Sequence, residues 1–179
     1  MTRSILNPRD FVNYHCRQAT RLLEGFSDLL LCYDARQFDA LTEDLRSRQE
    51  IGQVMDNVVR LKNSHVALVG RFGIGAPAAV ATCEELIACG ISRLISLGTA
   101  ATIVGGTKIG EVVVCKKAFS DEGTSRHYHP NKRTFSATPK LVQDIHDRLN
   151  SSGIPCKLRT AWTTDAPYRE TPCCSGEHV

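Results

Sequence analysis

Apolar residues in this chain alternate between short continuous runs and helical spacing. Leu29 to Cys32 is a run with the length of a buried strand, and residues 36–48 place Phe38, Leu41 and Leu45 on one stripe of a helix. Gln53 to Leu61 and His65 to Val69 read as two further strands, the second apolar enough to be covered on both faces. Upstream, residues 10–24 begin with Asp10 in a capping position and space Phe11, Tyr14, Ala19, Leu22 and Leu23 as a helix does, ending before Gly25. Downstream, Ala78 to Cys89 carries Val80, Cys83, Leu86 and Ile87 at helical spacing, with Pro77 suited to the first turn and Gly90 to the end. Leu94 to Leu97 is the next strand; Gly105-Gly106 turns the chain into another, Glu111 to Lys117. Ser120 to Arg133 is polar and rich in Gly, Pro and His, the composition of a loop. Thr138 to Asn150 then predicts a helix with Leu141, Ile145 and Leu149 on one face, and Cys156 to Trp162 a strand. Strands alternating with helices predict an α/β fold with a largely parallel, covered sheet. In such a sheet ligands gather beyond the carboxyl ends of the strands, here Tyr33-Asp34, Gly70 to Gly75, Gly98 to Ala101 and Thr163 to Tyr168.

Composition narrows the function classes. The chain has 179 residues, 42% hydrophobic and 23% charged, which suits one globular domain, read as residues 1–171 with an irregular tail over 172–179. The net charge of +3 is spread along the chain with no basic block, so no nucleic-acid partner is expected. No apolar stretch approaches the ~20 residues of a membrane span, and the N-terminus lacks the apolar region of a secretory signal, so a cytoplasmic protein without membrane contact is expected. Without paired C-x-x-C spacing, Cys16, Cys32, Cys83, Cys89, Cys115 and Cys156 read as reduced core thiols. A zinc site built from His127, His129 and distant cysteines is disfavoured on the same ground, and no metal is expected.

Gly73-Ile-Gly-Ala-Pro-Ala78 fits G-x-G-x-x-A after a strand and before a helix, the pattern of a dinucleotide-binding turn. The acid that such a turn needs about 20 residues on is missing, because Ser92-Arg93-Leu94 stands there. Close packing of helix on strand is the better reading of these glycines, and a nicotinamide dehydrogenase the more distant one.

Six motifs in order carry a more specific likeness: Phe72-Gly-Ile-Gly-Ala-Pro-Ala, Glu84-Glu-Leu-Ile-Ala-Cys-Gly, Ile95-Ser-Leu-Gly-Thr-Ala, Ile109-Gly-Glu-Val-Val-Val, Asp121-Glu-Gly-Thr-Ser and Trp162-Thr-Thr-Asp-Ala-Pro-Tyr-Arg-Glu-Thr. Together they resemble the nucleoside phosphorylase superfamily, in particular its uridine phosphorylase-like branch, over residues 66–171 and more weakly back to Leu29. The resemblance implies a three-layer α/β/α sandwich around a mixed, largely parallel sheet, assembled as a dimer or a hexamer of dimers. It implies phosphorolysis of a pyrimidine or purine nucleoside to free base and pentose 1-phosphate, with inorganic phosphate as co-substrate and no other cofactor. It places Gly98, Thr99 and Ala100 at the phosphate and ribose, and Tyr168 with Arg169 near the base; His127 and Tyr128 fall in the family's variable loop.

The chain also departs from the pattern. Positions where family members commonly carry phosphate-binding arginines fall at or near Gln37, Gln49 and Ser96, and Pro167 stands where a Phe is usual. The Glu-Met-Glu type segment that follows in the family is absent before Val179, and Glu177 in the Pro172 to Val179 tail is no substitute, so a C-terminally truncated domain, incomplete in its sheet, is expected. Two alternatives to phosphorolysis follow: a hydrolytic nucleosidase, which needs water rather than a phosphate cradle, and an impaired form that binds a nucleoside or a partner subunit without turnover.

Overall fold

The computed structural model describes residues 4–15, 23–49, 51–55, 57–103 and 105–169. These fall into two compact units, residues 1–100 and 101–179. The first contains helix α1 (Pro8–His15), strand β1 (Asp28–Cys32), helix α2 (Ala35–Ser47), strands β2 (Ile51–Met55), β3 (Val58–Leu61) and β4 (Val66–Val69), helix α3 (Gly75–Ala88) and strand β5 (Arg93–Leu97). The second contains β6 (Val112–Asp121), a single turn α4 (Ser125–Tyr128), β7 (Thr134–Ser136), α5 (Pro139–Ser151), β8 (Cys156–Thr164) and a 3-10 turn at Pro167–Arg169.

The sheet of the first unit runs β2-β3-β4-β1-β5. Its β4, β1 and β5 are parallel, with Leu30 paired to Leu68 on one side and to Ile95 on the other. The β2-β3 and β3-β4 pairings are antiparallel. Period-two alternation distributes the side chains of β1 to two cores. Leu29 and Leu31 pack with Val58, Ala67, Val69 and, from α3, Leu86. Cys32 packs with Leu68, Val59 and, from α2, Phe38. Full burial of each such leucine is worth about 1.5–3 kcal/mol, which makes this sandwiched strand the anchor of the unit. Helix α2 begins where the Asp34 carboxylate accepts the Arg36 backbone N–H at 2.8 Å, an N-cap that also explains the abrupt end of β1.

In the second unit β6 is central, antiparallel to β7 and parallel to β8. Among the described residues there, only Val114 is a buried apolar residue, and Leu141, Val142, Ile145 and Leu149 of α5 are half-buried. A bulge between Cys115 and Lys117 shifts the β6-β8 register by one residue before Ser120 pairs with Thr163 and Asp121 with Thr164.

Several expectations need correction. Gln53 to Leu61 is a hairpin of two antiparallel strands rather than one strand. The 120–133 loop yields to strand at one end, where β6 runs on to Asp121, to the α4 turn in its middle and to β7 just beyond it. The helix predicted over 10–24 is described only as α1, and the rest of that segment, from 16 to 22, lies outside the described residues, as do Cys16, residues 170–171 and the 172–179 tail. Cys32 is a fully buried free thiol as expected, Cys83, Cys89 and Cys156 are half-buried, and Cys115 is exposed. Cys115 follows buried Val114 on a strand, so alternation sends it to the other face. No described helix is long and apolar enough to cross a membrane.

Candidate functional site

Parallel pairing of β4, β1 and β5 brings three strand ends side by side in the first unit. The Tyr33 backbone N–H donates to the Leu97 carbonyl at 2.9 Å, extending the β1-β5 ladder one residue beyond the strands. The next residue on the β5 side is Gly98, where a Cβ would stand 3.3 Å from the Tyr33 Cβ. Glycine there lets the Thr99-Ala100 turn leave the sheet against the Tyr33 side chain. From the β4 side, Phe72 meets the Tyr33 ring edge-on, centroids 5.4 Å apart at 76°.

Between β4 and α3 the backbone takes left-handed conformations at Arg71 (φ 55°), Gly73 (105°) and Gly75 (87°). A Cβ on Gly73 would lie 3.2 Å from that of Ala78, so the first glycine of the G-x-G-x-x-A pattern serves close packing. Helix α3 opens at Ile74 without a side-chain hydrogen bond to cap it. The Gly98 to Ala100 turn is exposed.

Arg36 after β1, Arg71 after β4 and Arg48 at the far end of α2 are each paired with a carboxylate. Arg36 lies 3.5 Å from Asp34 with its side chain almost fully exposed, and Arg48 is 3.0 Å from Asp44 one helical turn away. Arg71 forms a two-point pair with Asp39, Nε to Oδ1 at 2.8 Å and Nη2 to Oδ2 at 2.5 Å, which holds the Asp39 carboxyl below the usual range. Gln37 is half-buried, and its side-chain oxygen has no hydrogen-bond partner among the described residues. Gln49 is exposed, with positive φ (57°), and Ser96 is exposed on β5.

In the second unit the ends of β6 and β8 lie together through their parallel pairing. Glu122 is 3% exposed, next to buried Ser120. Its Oε1 accepts the Ser120 hydroxyl at 2.6 Å and its Oε2 the Ser125 backbone N–H at 3.1 Å. Burial pushes the Glu122 carboxyl up, but hydrogen bonds from Ser120, Ser125 and the Thr124 and Ser125 amides outweigh it and hold the value down to about 2. The adjacent Gly123 N–H donates to Asp165 Oδ2 at 2.9 Å. From Asp165 the chain turns through Ala166, whose N–H donates to the Thr164 hydroxyl at 3.2 Å and whose carbonyl accepts the Arg169 N–H at 2.8 Å. Tyr168 on this turn is 99% exposed, and Arg169 is exposed.

The predicted residues therefore fall into two sets, Gly98, Thr99 and Ala100 in the first unit and Tyr168 and Arg169 in the second. In the sequence Tyr33, Phe72, Glu122 and Asp165 are marked only as members of strand ends or motifs, with no individual role. A carboxylate preceded by Ser120 and followed by Gly123-Thr124-Ser125 was the available signal for Glu122, since small hydroxyl residues around an acid supply hydrogen bonds to it. His127 and His129 are exposed, His129 against Phe135 with ring centroids 5.7 Å apart. Among the described residues no three His, Cys, Asp or Glu side chains are grouped to hold a metal ion.

The family model described as the phosphorylase superfamily matches residues 30–175. A DeoD-type purine nucleoside phosphorylase of Buchnera aphidicola is 25% identical over 140 residues, 70% of this chain and 59% of that protein. A uridine phosphorylase of Thermococcus kodakarensis is 29% identical over 96 residues, 54% of this chain and 35% of that protein. The chain thus spans well under two thirds of the length of these curated relatives. Among solved structures, the uridine phosphorylase of Vibrio fischeri superimposes with a TM-score of 0.73 at 21% identity, covering 87% of this chain and 66% of that one. The purine nucleoside phosphorylase of Toxoplasma gondii, solved in complex with immucillin-H, gives 0.71 at 22% identity, covering 84% and 62%. The α/β fold read from the sequence is borne out by these likenesses.

Proposed function

This chain belongs to the phosphorylase superfamily, and from that premise we propose that it binds a nucleoside and inorganic phosphate and takes part in phosphorolytic cleavage of the N-glycosidic bond. In that reaction a phosphate oxygen bonds to the anomeric carbon while the carbon–nitrogen bond breaks, its electron pair leaving with the base, which then takes a proton. The products are a free base and a pentose 1-phosphate. The transition state is oxocarbenium-like, so the protein's task is to place an anion on one face of the sugar and to accommodate the departing base.

The observation that carries this reading is the convergence of Tyr33, the Phe72 to Gly75 turn and the Gly98-Thr99-Ala100 turn at the ends of three parallel strands. Thr99 can offer a hydroxyl and a backbone N–H to a phosphate oxygen, and the uncapped start of α3 adds a favourable field for an anion. Tyr168, with an exposed aromatic face, and Arg169 are the proposed base contacts.

A second reading, binding without turnover, is favoured by the charge arrangement. Arg36, Arg48 and Arg71 are each paired with a carboxylate, and the cradle positions at Gln37, Gln49 and Ser96 carry no charge. Thr99→Val tests the phosphorolytic reading apart from a folding defect, because it removes one hydroxyl at an exposed position. Loss of one hydrogen bond to a charged group, about 1.5–3 kcal/mol, is expected to raise the KM for phosphate at least ~10-fold with an unchanged circular dichroism spectrum. An unchanged phosphate KM would remove Thr99 from the anion site.

A further inference from the structure

We propose that Glu122 and Asp165 are positioning residues, a clasp that joins the loop after β6 to the turn carrying Tyr168; this rests on the base-side role given to Tyr168 above. Ser120 opposite Thr163 and Asp121 opposite Thr164 put two chain exits side by side. A nearly fully exposed Tyr168 cannot fix its own turn, so the placement of the ring depends on the backbone beneath it.

That backbone is tied at its start by the Asp165 carboxylate, and the loop it is tied to is held by a second carboxylate, Glu122. Glu122 reaches back to the Ser120 hydroxyl on β6 and forward to the Ser125 N–H at the start of α4, which fixes the peptide plane between them. The fixed plane is that of Gly123, whose N–H is aimed at Asp165 Oδ2, 42 residues on in sequence. Asp165 is the first residue of the turn that Ala166 and Arg169 then close. The two carboxylates thus act in series: Glu122 sets the Gly123 N–H, Gly123 sets Asp165, and Asp165 sets where Tyr168 begins. Both loops also carry side chains suited to a flat ligand, Tyr128 at the end of α4 and Tyr168 on the turn. A joint that couples them would align both at once.

The test uses the full chain and two readouts. Amide hydrogen exchange is measured for wild type, Asp165→Ala and Asp165→Asn, the last keeping an oxygen that can accept the Gly123 N–H. In Asp165→Ala, residues 123–128 and 166–169 are expected to exchange together at least ~10-fold faster, as loss of one local hydrogen bond implies, with 113–118 of β6 unchanged and Asp165→Asn close to wild type. Glu122→Gln, which keeps only one carbonyl acceptor, is expected to loosen 166–169 as well as its own loop. Acceleration of one loop without the other, or equal acceleration of 113–118, overturns the clasp. The second readout is base release from uridine and inosine. Asp165→Ala is expected to raise the nucleoside KM ~10-fold with the phosphate KM within about twofold, and Asp165→Asn to restore it. Equal effects on both KM values overturn the positioning role. If the folded wild type releases no base, the phosphorolysis reading fails, while the exchange data still decide the clasp.

Discussion

Gly70→Ala is expected to destabilise the first unit by at least ~3 kcal/mol, near the upper limit of ordinary overpacking. Gly70 is buried directly after β4, and a Cβ there would stand 2.3 Å from Phe38 Cγ, 2.5 Å from its Cδ2 and 2.6 Å from its Cβ. Rotation of the side chain about its Cα–Cβ bond can move Cγ and Cδ2 away but not Cβ, because the Phe38 Cβ moves only with helix α2. Phe38 is 4% exposed and packs with Cys32, Val59 and Leu68, so any shift of α2 opens the core it closes. Phe38→Ala alone is expected to cost about 3–5 kcal/mol through its cavity. The two changes are coupled, since the new methyl group enters space the missing ring leaves, and the double variant should be more stable than the sum of the single ones by about 1 kcal/mol or more. Urea unfolding of the four proteins measures this. A Gly70→Ala midpoint equal to that of wild type would show that β4 and α2 are not packed as described.

Acid is expected to remove a second large contribution, through Glu122. Its carboxyl titrates at about 2 in the folded protein against about 4.3 in an unfolded chain. A folded value below the unfolded one means that the ionised form is favoured by folding. The stabilisation is therefore complete above the unfolded value and is lost as pH falls through 4 toward 2; it amounts to about 3 kcal/mol. Asp28, held by Arg93, and Asp39, held by Arg71, are also lowered and contribute to the same acid limb, but both pairs are exposed and screened by solvent. Comparison with Glu122→Gln cancels those shared contributions. The stability difference between wild type and this variant should be largest near neutral pH and shrink steadily below pH 4. A difference that stays constant from pH 7 to pH 2.5 would show that Glu122 does not carry the low value.

The parts of the fold legible in the sequence are those whose signal is local. Leu29 to Cys32 and Val66 to Val69 are continuous apolar runs because both faces of the sheet are covered, and α2 and α5 carry a single apolar stripe between a capping residue and a stop. The β2-β3 hairpin is hidden in the sequence because no glycine breaks the run between Gln53 and Leu61. β6 extends to Asp121 through Lys116 and Lys117, whose polarity reflects an exposed strand rather than a loop, and through Ser120, a buried hydroxyl. At the site, Gly98-Thr99-Ala100 was visible as a motif at a strand end. The Gly123-Asp165 contact was not, because parallel strands joined by a crossover bring together residues that no local period connects. The buried state of Glu122 was equally hidden, since an acid beside a glycine reads as loop until its hydrogen-bond partners are seen.

Release of free base from uridine, inosine and adenosine by the full chain, with and without inorganic phosphate, tests the central claim most directly. At least one base is expected to appear only when phosphate is present, accompanied by an equal amount of pentose 1-phosphate. Absence of release from the folded protein, or release at the same rate without phosphate, would contradict it.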